Sequence, residues 1–419
     1  MDLKAQMQRW EALHKDRLAQ RTLSPPSGDP PLEAVVPGEW VSVDGLRCFT
    51  VEERYALTFR HGDAPLEEIL AIPSEVWSWL ASGVERRPFD LRRAVFVDIE
   101  TTGLARGAGT YAFLVGVGAL EGDEFALRQY FMPSYAEEDA LLDLLAGVLR
   151  GNGGLVTFNG RSFDWPIIET RYIMARREPP CDGHPHLDLL HLSRRLWRRT
   201  LDSCALSSLE RNVLRIERSA SDVPGYLIPQ LYQDYLERGR TRPLGDVFYH
   251  NLVDILSMVT LAARAGSLVR APFAPETAEP CDLLSLGILF EAEGRTEEAL
   301  HAFRLAWGEE GAQAAGAARR LSFLLKRVGR YAEAMEVWGS LTGQQGALYP
   351  YVEMAKHLEH RVKDYARARE VTAQAMAWVA SEEAGLGRYE ARRILSDLQH
   401  RLDRLDRRLQ AASGVGQEG

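Results

Sequence analysis

The pattern of apolar and polar positions in the middle of the chain predicts an α/β fold. Three β-prone runs come first, at Ala94–Asp98, Tyr111–Leu120 and Phe125–Met132, and their order predicts a three-stranded meander. The pattern then alternates between helix and strand, with a helix at Glu137–Leu149, a strand at Gly154–Phe158 and a helix at Phe163–Arg177. Strands that give way to alternating strand and helix predict a mixed sheet covered by helices. A long helix that begins at Leu244 closes this region near Gly266.

The pattern before this region predicts less structure. Residues 1–32 contain an amphipathic helix at 2–20, which we expect to dock on its own protein, and a stiff linker rich in Pro at 24–31. Residues 33–90 are expected to form a small appendage with strand-like pieces at Trp40–Val43 and Tyr55–Phe59 and a helix near Pro73–Ser82. No chemistry is assigned to this appendage.

A repeated helical pattern occupies residues 278–412. The segment Gly294–Phe303 recurs as Gly329–Trp338, and a weaker third copy begins at Lys363, so the spacings are 35 and 34 residues. This is the period of tetratricopeptide repeats, which are pairs of helices that bury their apolar faces only by stacking. The small residue of each copy (Ala299, Ala334 and Ala368) is expected where neighbouring helices approach closely. We predict an all-α tetratricopeptide-like domain.

Composition limits the class of protein. A chain of 419 residues with 46% hydrophobic and 26% charged residues has enough apolar side chains for two or three domains. No run of eighteen apolar residues occurs, so no membrane span is expected, and the first residues lack a secretory signal. The four cysteines form no C-x-x-C pair, which argues against zinc knuckles and disulfide frameworks. We therefore expect a cytoplasmic protein.

The net charge of −9 does not exclude nucleic acid as a partner. Residues 91–270, the predicted α/β domain, contain no Lys, and Arg supplies all of their permanent cations. Arg contacts phosphate through two parallel N–H groups, although a GC-rich genome explains most of such a preference. Metal ions bound by the acidic side chains would make the remaining surface slightly positive.

The strongest chemical signal is a pair of acids at the end of the first β-prone run. Side chains alternate across a strand, so Asp98 and Glu100 project from the same face. Two close carboxylates repel each other unless a cation lies between them, and oxygen ligands suit Mg²⁺ or Mn²⁺. Gly103 then allows a sharp turn that lets a substrate approach. We predict a metal site here.

Two further acids join this pair. Asp164 follows the strand Gly154–Phe158 at the start of the next helix, where Asp also serves as a helix cap. Asp254 lies on the long helix, four residues after His250, so both side chains share one helical face. Asp164 and Asp254 are expected to complete the metal site, and His250 to accept a proton from the attacking water.

A run of arginines, Arg194-Arg195-Leu196-Trp197-Arg198-Arg199, is the best candidate for a basic patch. Arg194 and Arg198 share one helical face, as do Arg195 and Arg199. Trp197 is either a stacking surface for a base or a core side chain, and the sequence does not decide between them. Asp188, in the segment His186-Leu187-Asp188, is expected to be structural.

In this order the motifs resemble the DEDD exonucleases of the ribonuclease H-like superfamily, and more closely the YprB-type proteins. The resemblance covers residues 40–265. It rests on these segments: Asp98–Leu104, Gly109–Phe113, Gln129–Phe131, Phe158–Asp164, His186–His191, Arg194–Trp197, Pro224-Gly225 with Ile228-Pro229, and His250–Ser257. The helical tail agrees with members that carry one.

The resemblance implies a ribonuclease H-like fold at residues 91–270 and hydrolysis of nucleic acid from the 3′ end with two Mg²⁺ or Mn²⁺ ions. It implies that Asp98, Glu100 and Asp254 hold the first ion, and that Asp98 and Asp164 hold the second. One departure concerns His250, because histidine-type members place four residues between His and Asp and this chain has three. Tyr249 keeps the four-residue gap, but His250 shares the face of Asp254, so we favour His250 as the general base.

The predicted function is a 3′-to-5′ exonuclease that acts on a single-stranded 3′ end, with a tail that binds a protein partner. Substrate contacts are expected from residues beside the acids, namely Thr101, Thr102, Leu104, Asn159 and Phe163. Two alternatives stay open: a structure-selective endonuclease on the same fold, and a catalytically weak scaffold that acts through its repeats. No residue identifies a reader of the 2′-hydroxyl, so DNA and RNA are both candidate substrates.

Overall fold

The computed structural model describes residues 28–81, 89–103, 109–181, 183–219, 222–273, 282–309, 312–343, 348–381 and 384–414. It divides into two compact units, one up to Cys281 and one from Asp282 onwards. The predicted helix at 2–20, the first half of the Pro-rich linker and Leu104 lie outside the described residues.

The first unit is built around a seven-stranded sheet. The strands of this unit are β1 (Glu39–Val43), β2 (Leu46–Ala56), β3 (Arg60–His61), β4 (Ala64–Pro65), β5 (Ala94–Thr101), β6 (Ala112–Glu121), β7 (Glu124–Phe131), β8 (Gly154–Thr157) and β9 (His186–Asp188). Strands β3 and β4 form a separate two-stranded ribbon, and the others form the seven-stranded sheet. The order across the sheet is β1-β2-β7-β6-β5-β8-β9. Strands β8 and β9 run parallel to β5, and the other neighbours are antiparallel.

This topology confirms the meander, which is β5, β6 and β7, and the mixed sheet predicted from the sequence. It is consistent with the ribonuclease H-like fold that the resemblance implies. Residues 33–90, treated above as an appendage, differ from the expectation because β2 pairs with β7 over Phe49–Ala56 and extends the sheet. The strand expected at Tyr55–Phe59 ends at Ala56 as the last part of β2.

Helices connect many of the strands and cover the sheet. Those of the first unit are α1 (Ser74–Leu80), α2 (Glu138–Leu149), α3 (Asp164–Met174), α4 (Leu189–Trp197), α5 (Leu206–Leu209), α6 (Ile228–Arg238) and α7 (Leu244–Arg270). Helix α5 runs into a π-helical turn at Glu210–Leu214. On α6, Tyr232 stacks on Phe113 of β6 with ring centroids 4.0 Å apart.

Helix α7 lies close to β6 because that strand has glycines where the two meet. A Cβ atom on Gly116 would lie 2.2 Å from Oδ1 of Asn251, and one on Gly118 would lie 2.8 Å from Cγ2 of Ile255. Among the described helices α7 is the one long and apolar enough to cross a membrane, but most of it is buried inside the protein. It is therefore the core helix of this unit, and it carries the functional candidates His250 and Asp254.

The second unit is helical. Its helices are α8 (Leu283–Ala292), α9 (Thr296–Gly308), α10 (Ala312–Arg327), α11 (Tyr331–Leu341), α12 (Tyr349–His357), α13 (Tyr365–Ala380) and α14 (Arg388–Gly414). Equivalent positions of the three sequence copies have equivalent structures. Gly294, Gly329 and Lys363 all adopt left-handed backbone conformations at the turn before α9, α11 and α13.

The small side chains of the three copies lie at the centre of this unit. Ala299, Ala334 and Ala368 are fully buried. On α8, Gly287 faces the ring of Phe303, and a Cβ atom there would lie 2.5 Å from that ring. Ion pairs also recur at the same spacing, since Arg295 pairs with Glu298 and Arg330 with Glu333. The copies in the sequence are therefore copies of one structural unit.

Candidate active site

Strand β5 presents the two acids that the sequence singled out. It lies where the antiparallel and parallel parts of the sheet meet, between β6 and β8, and its apolar residues Ala94–Val97 are buried. Asp98 and Glu100 follow on one face, just before an irregularity in the pairing with β6 at Glu100 and Thr101. Burial raises the pKa of Asp98 well above its usual range, and nearby carboxylates raise it further. The same causes raise the pKa of Glu100.

Asn251 of α7 holds the Asp98 side chain. Its amide Nδ2 donates to Oδ2 of Asp98 at 2.8 Å, and its Oδ1 accepts from Nε2 of Gln129 at 2.9 Å. Asp98, Gly116 and Gln129 lie opposite one another on three neighbouring strands, so Asn251 spans this row above the glycine. Sequence reasoning missed the role of Asn251, although it lies directly after His250, because only the helix-to-sheet contact reveals it.

We expect Gly116→Ala to destabilise the first unit by about 1–3 kcal/mol, the usual penalty for overpacking. The added methyl group would lie 2.2 Å from Oδ1 of Asn251 and 2.4 Å from Cδ1 of Ile255. The measurement is urea unfolding followed by fluorescence. The control is Gly147→Ala on α2, where a Cβ atom meets nothing within 4 Å; there we expect a gain of about 0.5–1 kcal/mol from helix propensity. Equal midpoints for wild type and Gly116→Ala would contradict the close packing of α7.

Asp164 reaches the site through a turn that Asp188 stabilises. The carboxylate of Asp188 accepts hydrogen bonds from the backbone N–H groups of Asn159, Arg161 and Leu190. Asn159 has a φ of 66°, and this left-handed residue lets the chain turn from β8 towards α3. The structural role expected of Asp188 is therefore confirmed.

Asp164 itself is buried at the first position of α3. Its pKa is raised to about 7, mainly by burial and also by the charges of Asp188 and Asp254, while hydrogen bonds from the backbone of Asp164 and Ile99 oppose the rise. The bond from Ile99 brings the Asp164 carboxylate to the backbone of β5, at the residue between Asp98 and Glu100 in the sequence.

His250 and Asp254 lie together on α7, as their spacing predicts. The Nε2 atom of His250 is 3.7 Å from Oδ2 of Asp254. The other ring nitrogen, Nδ1, is 2.7 Å from Oδ1 of Asp222. Burial lowers the pKa of His250, but the bond to Asp222 and the charges of Asp254 and Asp222 raise it above its usual value overall.

Arg218 connects these groups to a buried glutamate. Its guanidinium makes two hydrogen bonds of 2.6 Å to Glu210, contacts Asp222 at 3.4 Å and also donates to Oδ1 of Asp254. This network lies in the segment between α5 and α6, which contains Glu210, Arg218 and Asp222. The sequence predicted no chemistry for this segment. No motif marks these residues, and only the fold brings this segment to α7.

Behind Glu210 the network ends at a half-buried histidine. Ser257 donates to Oε1 of Glu210 at 2.6 Å, and Nε2 of His61 is 2.9 Å from the same hydroxyl. Because the Ser257 proton goes to Glu210, we infer that His61 donates from Nε2. Burial lowers the pKa of His61 to about 3, and the charge of Arg218 lowers it further.

We expect His61 to make the protein less stable as the pH falls. The folded protein binds the His61 proton more weakly than the unfolded chain, so this contribution is fully present above about pH 6.5 and is lost as the pH falls towards 3. Between pH 7 and 5 the loss is about 2 kcal/mol, at 1.36 kcal/mol per pKa unit. In His61→Gln, whose amide keeps a donor towards Ser257, the difference in free energy of unfolding between these pH values should shrink by that amount. If the difference between the two pH values in urea unfolding is unchanged, His61 is not held neutral in the folded protein.

The four predicted metal ligands influence one another. After burial, the charges of Asp254 and Asp164 raise the pKa of Asp98, and those of Asp98, Asp254 and Asp164 raise the pKa of Glu100. Such effects require the four carboxylates to share one region. Within the described part of the chain, however, no three His, Cys, Asp or Glu side chains are arranged so as to hold a metal ion. In this structure, Oδ1 of Asp254 accepts a hydrogen bond from Arg218.

The residues predicted to contact the substrate differ in burial and in their hydrogen bonds. The buried Thr101 donates its hydroxyl to the backbone oxygen of Gly103, and the Thr102 hydroxyl accepts from the N–H of Tyr111. Phe163 packs against the main core, while the side chain of Asn159 is exposed. Their roles in binding a substrate stay predictions, as does that of Leu104.

The structure distinguishes between residues that the sequence left undecided. Trp197 is buried with 4% exposure, so it is a core side chain and not a stacking surface, while the four arginines around it are exposed. Tyr249 lies near Tyr55 of β2: burial raises the pKa of Tyr55, and Glu53 and Tyr249 raise it further. The side chain of His250 contacts Asp254, with Nε2 3.7 Å from Oδ2.

Comparison with known proteins agrees with the fold. Residues 95–265 match the RNase_H superfamily. The matched range begins on β5 and ends on α7, so it contains all four acids and His250. The chain is also 31% identical over 338 residues to the uncharacterized protein YprB of Bacillus subtilis (strain 168). The aligned region covers 79% of this chain and 80% of that protein.

Proposed function

Given that this chain belongs to the family of Bacillus subtilis YprB and contains an RNase H superfamily domain, we propose that it is a metal-dependent 3′-to-5′ exonuclease. A domain of this superfamily indicates hydrolysis of nucleic acid. The observation that carries the proposal is the shared region of four carboxylates: besides burial, the charge of Asp254 raises the pKa of Asp98, Glu100 and Asp164. Such repulsion is destabilising in the protein alone, and bound cations relieve it.

The donor set fits divalent ions that prefer oxygen. We propose that Asp98, Glu100 and Asp254 hold one Mg²⁺ or Mn²⁺ ion and that Asp98 and Asp164 hold a second. Two such ions, when bound, lower the pKa of water and stabilise negative charge on phosphate oxygens. Binding requires Asp254 to turn an oxygen towards Asp98, and its Oδ2 atom is the one not engaged by Arg218.

The residues of the chain supply positioning and proton transfer. In the proposed reaction the oxygen of a water molecule bonds to phosphorus while the bond from phosphorus to the 3′-oxygen breaks. Nε2 of His250 takes the proton from that water, and the leaving 3′-oxygen receives a proton from solvent. Asn251 holds the Asp98 carboxylate in place throughout.

The test is digestion of single- and double-stranded DNA and RNA oligonucleotides labelled at the 5′ end, with Mn²⁺, Mg²⁺ or EDTA. A ladder that shortens one nucleotide at a time from the 3′ end of a single strand is the expected result. Internal products of fixed length would instead support a structure-selective endonuclease. The absence of cleavage on every substrate would leave the scaffold alternative.

The second unit supports a further proposal, that it is a tetratricopeptide-type domain that binds a protein. Three observations favour this type: the 35- and 34-residue spacing, the buried alanines and the left-handed turn residue of each copy. Stacked helix pairs form extended concave surfaces suited to peptide segments. Capture from a lysate by the full chain, compared with the chain truncated after residue 281, tests the idea. Identical sets of captured proteins would contradict it.

A further inference from the structure

We propose that Arg218 and Asp222 are positioning residues that orient His250 and Asp254 for the reaction. This inference rests on the proposed function, because it assigns roles within the same site. The two residues lie four apart on one segment of the chain and contact both functional side chains of α7. For brevity, we call Arg218 and Asp222 the positioning pair.

Asp222 controls which nitrogen of His250 faces the site. Its Oδ1 atom is 2.7 Å from Nδ1 of His250, and a carboxylate accepts a proton but does not donate one when ionised. Arg218 Nη1, a donor, lies farther from the same Nδ1, at 3.3 Å, so the closer contact is the one to the acceptor Asp222. Nδ1 of the neutral ring therefore carries the proton and donates it to Asp222, which leaves Nε2 with its lone pair on the side of Asp254.

Arg218 controls Asp254. It donates to Oδ1 of Asp254, and the opposite oxygen, Oδ2, is the one that lies 3.7 Å from Nε2 of His250. The guanidinium is itself held by the two bonds to Glu210, a side chain that is almost fully buried. An arginine fixed in this way restricts the rotation of Asp254 and leaves Oδ2 available for a metal ion.

The arrangement differs from an ordinary ion pair because each bond leaves one functional atom free. Asp222 is hydrogen-bonded to Nδ1 of His250 and does not contact Nε2. Arg218 is hydrogen-bonded to Oδ1 of Asp254 and does not engage Oδ2. Both side chains of α7 are mostly buried, with side-chain exposures of 15% and 16%, so their rotamers depend on these contacts. Partners of this kind set the orientation of groups that touch a metal or a substrate.

The first test measures the orientation without catalysis. Ring ¹⁵N NMR in EDTA, at a pH where the ring is neutral, assigns the tautomer of His250 by comparison with His250→Gln. Wild type should show a proton on Nδ1. Asp222→Ala should shift the ring towards the proton on Nε2, and Asp222→Glu should restore part of the wild-type signal. A neutral ring with its proton on Nε2 in wild type would overturn the role of Asp222.

The second test measures metal binding and kinetics in the full chain. Arg218→Gln should weaken binding of Mn²⁺, measured by calorimetry, by about 10–10²-fold, as for other residues behind metal ligands. Asp222→Ala should lower kcat by a similar factor of about 10–10²-fold and leave KM close to wild type, because it acts through His250. Glu217→Gln is the matched control, since this exposed acid lies beside Arg218 and should change neither value.

The outcomes separate this inference from the proposed function. Binding of Mn²⁺ that is unchanged or tighter in Arg218→Gln would mean that Arg218 competes with the metal, which overturns its positioning role. If wild type cleaves no nucleic acid while the tautomer and the Mn²⁺ result follow expectation, the positioning pair stands and the exonuclease proposal fails. If wild type is active but Asp222→Ala keeps both tautomer and kcat, the inference fails alone.

Discussion

Asp98→Asn is expected to abolish nuclease activity and, at the same time, to raise the thermal stability of the metal-free protein. Asp98 is proposed to touch both ions, so its loss removes several kcal/mol of transition-state stabilisation, or at least roughly 10³-fold in rate. The neutral amide keeps the shape and can still accept from Asn251. Activity on labelled oligonucleotides is the first measurement.

The gain in stability follows from the direction of the pKa shift. Burial and the charges of Asp254 and Asp164 raise the pKa of Asp98, which means that the fold disfavours its charged form. Replacing that charge with an amide therefore stabilises the protein at pH 7 in EDTA. Functional sites commonly carry such destabilising groups. Thermal unfolding in EDTA should show a higher Tm for Asp98→Asn than for wild type.

Addition of Mn²⁺ distinguishes the two effects. A metal that binds only the folded state raises the Tm of wild type, and this rise should be lost in Asp98→Asn. The matched control is Asp123→Asn, an exposed aspartate in the turn between β6 and β7, which should change neither Tm nor activity. Retained cleavage in Asp98→Asn would show that the ligand assignment is wrong, and an unchanged Tm in EDTA would show that the carboxylates do not repel one another.

His250→Ala should lower turnover by about 10²–10⁴-fold, the usual contribution of a general base. Metal binding should persist, because His250 is not a proposed ligand, so the rise of Tm with Mn²⁺ should match wild type. Single-turnover digestion gives the rate. Loss of the metal response in this variant would make His250 a ligand instead of a base.

Tyr249→Phe is the matched comparison, since Tyr249 precedes His250 on α7. On a helix, an offset of five residues turns Tyr249 about 140° from Asp254, against about 40° for His250. The structure places Tyr249 near Tyr55, and Tyr249→Phe should therefore cleave at nearly the wild-type rate. If Tyr249→Phe is inactive while His250→Ala is active, the proton acceptor is the tyrosine.

Several elements could be predicted from the sequence because their determinants are local. The run Ala94–Val97, the meander and the long helix from Leu244 each follow from periodicity and β-branched or aromatic content. The buried positions of Ala299, Ala334 and Ala368 follow from the repeat period. The spacing of His250 and Asp254 places them on one face of any helix, whatever packs around it.

The surroundings of those residues depend on contacts between distant segments. No local rule shows that β2 extends the sheet beside β7, or that a glycine at position 116 admits Asn251 above Asp98. Trp197 was equally suited to stacking and to the core, and only packing placed it inside.

The sequence by itself therefore determined the elements, their order and the positions of the acids along them, because backbone geometry and side-chain spacing act over a few residues. The tertiary structure alone decided which partners those acids have. Arg218 is 36 residues from Asp254 along the chain, and Gln129 is 122 residues from Asn251. Hydrogen bonds and charges depend on distance in space and not on separation along the chain, so these contacts exist only once the sheet and α7 have packed together.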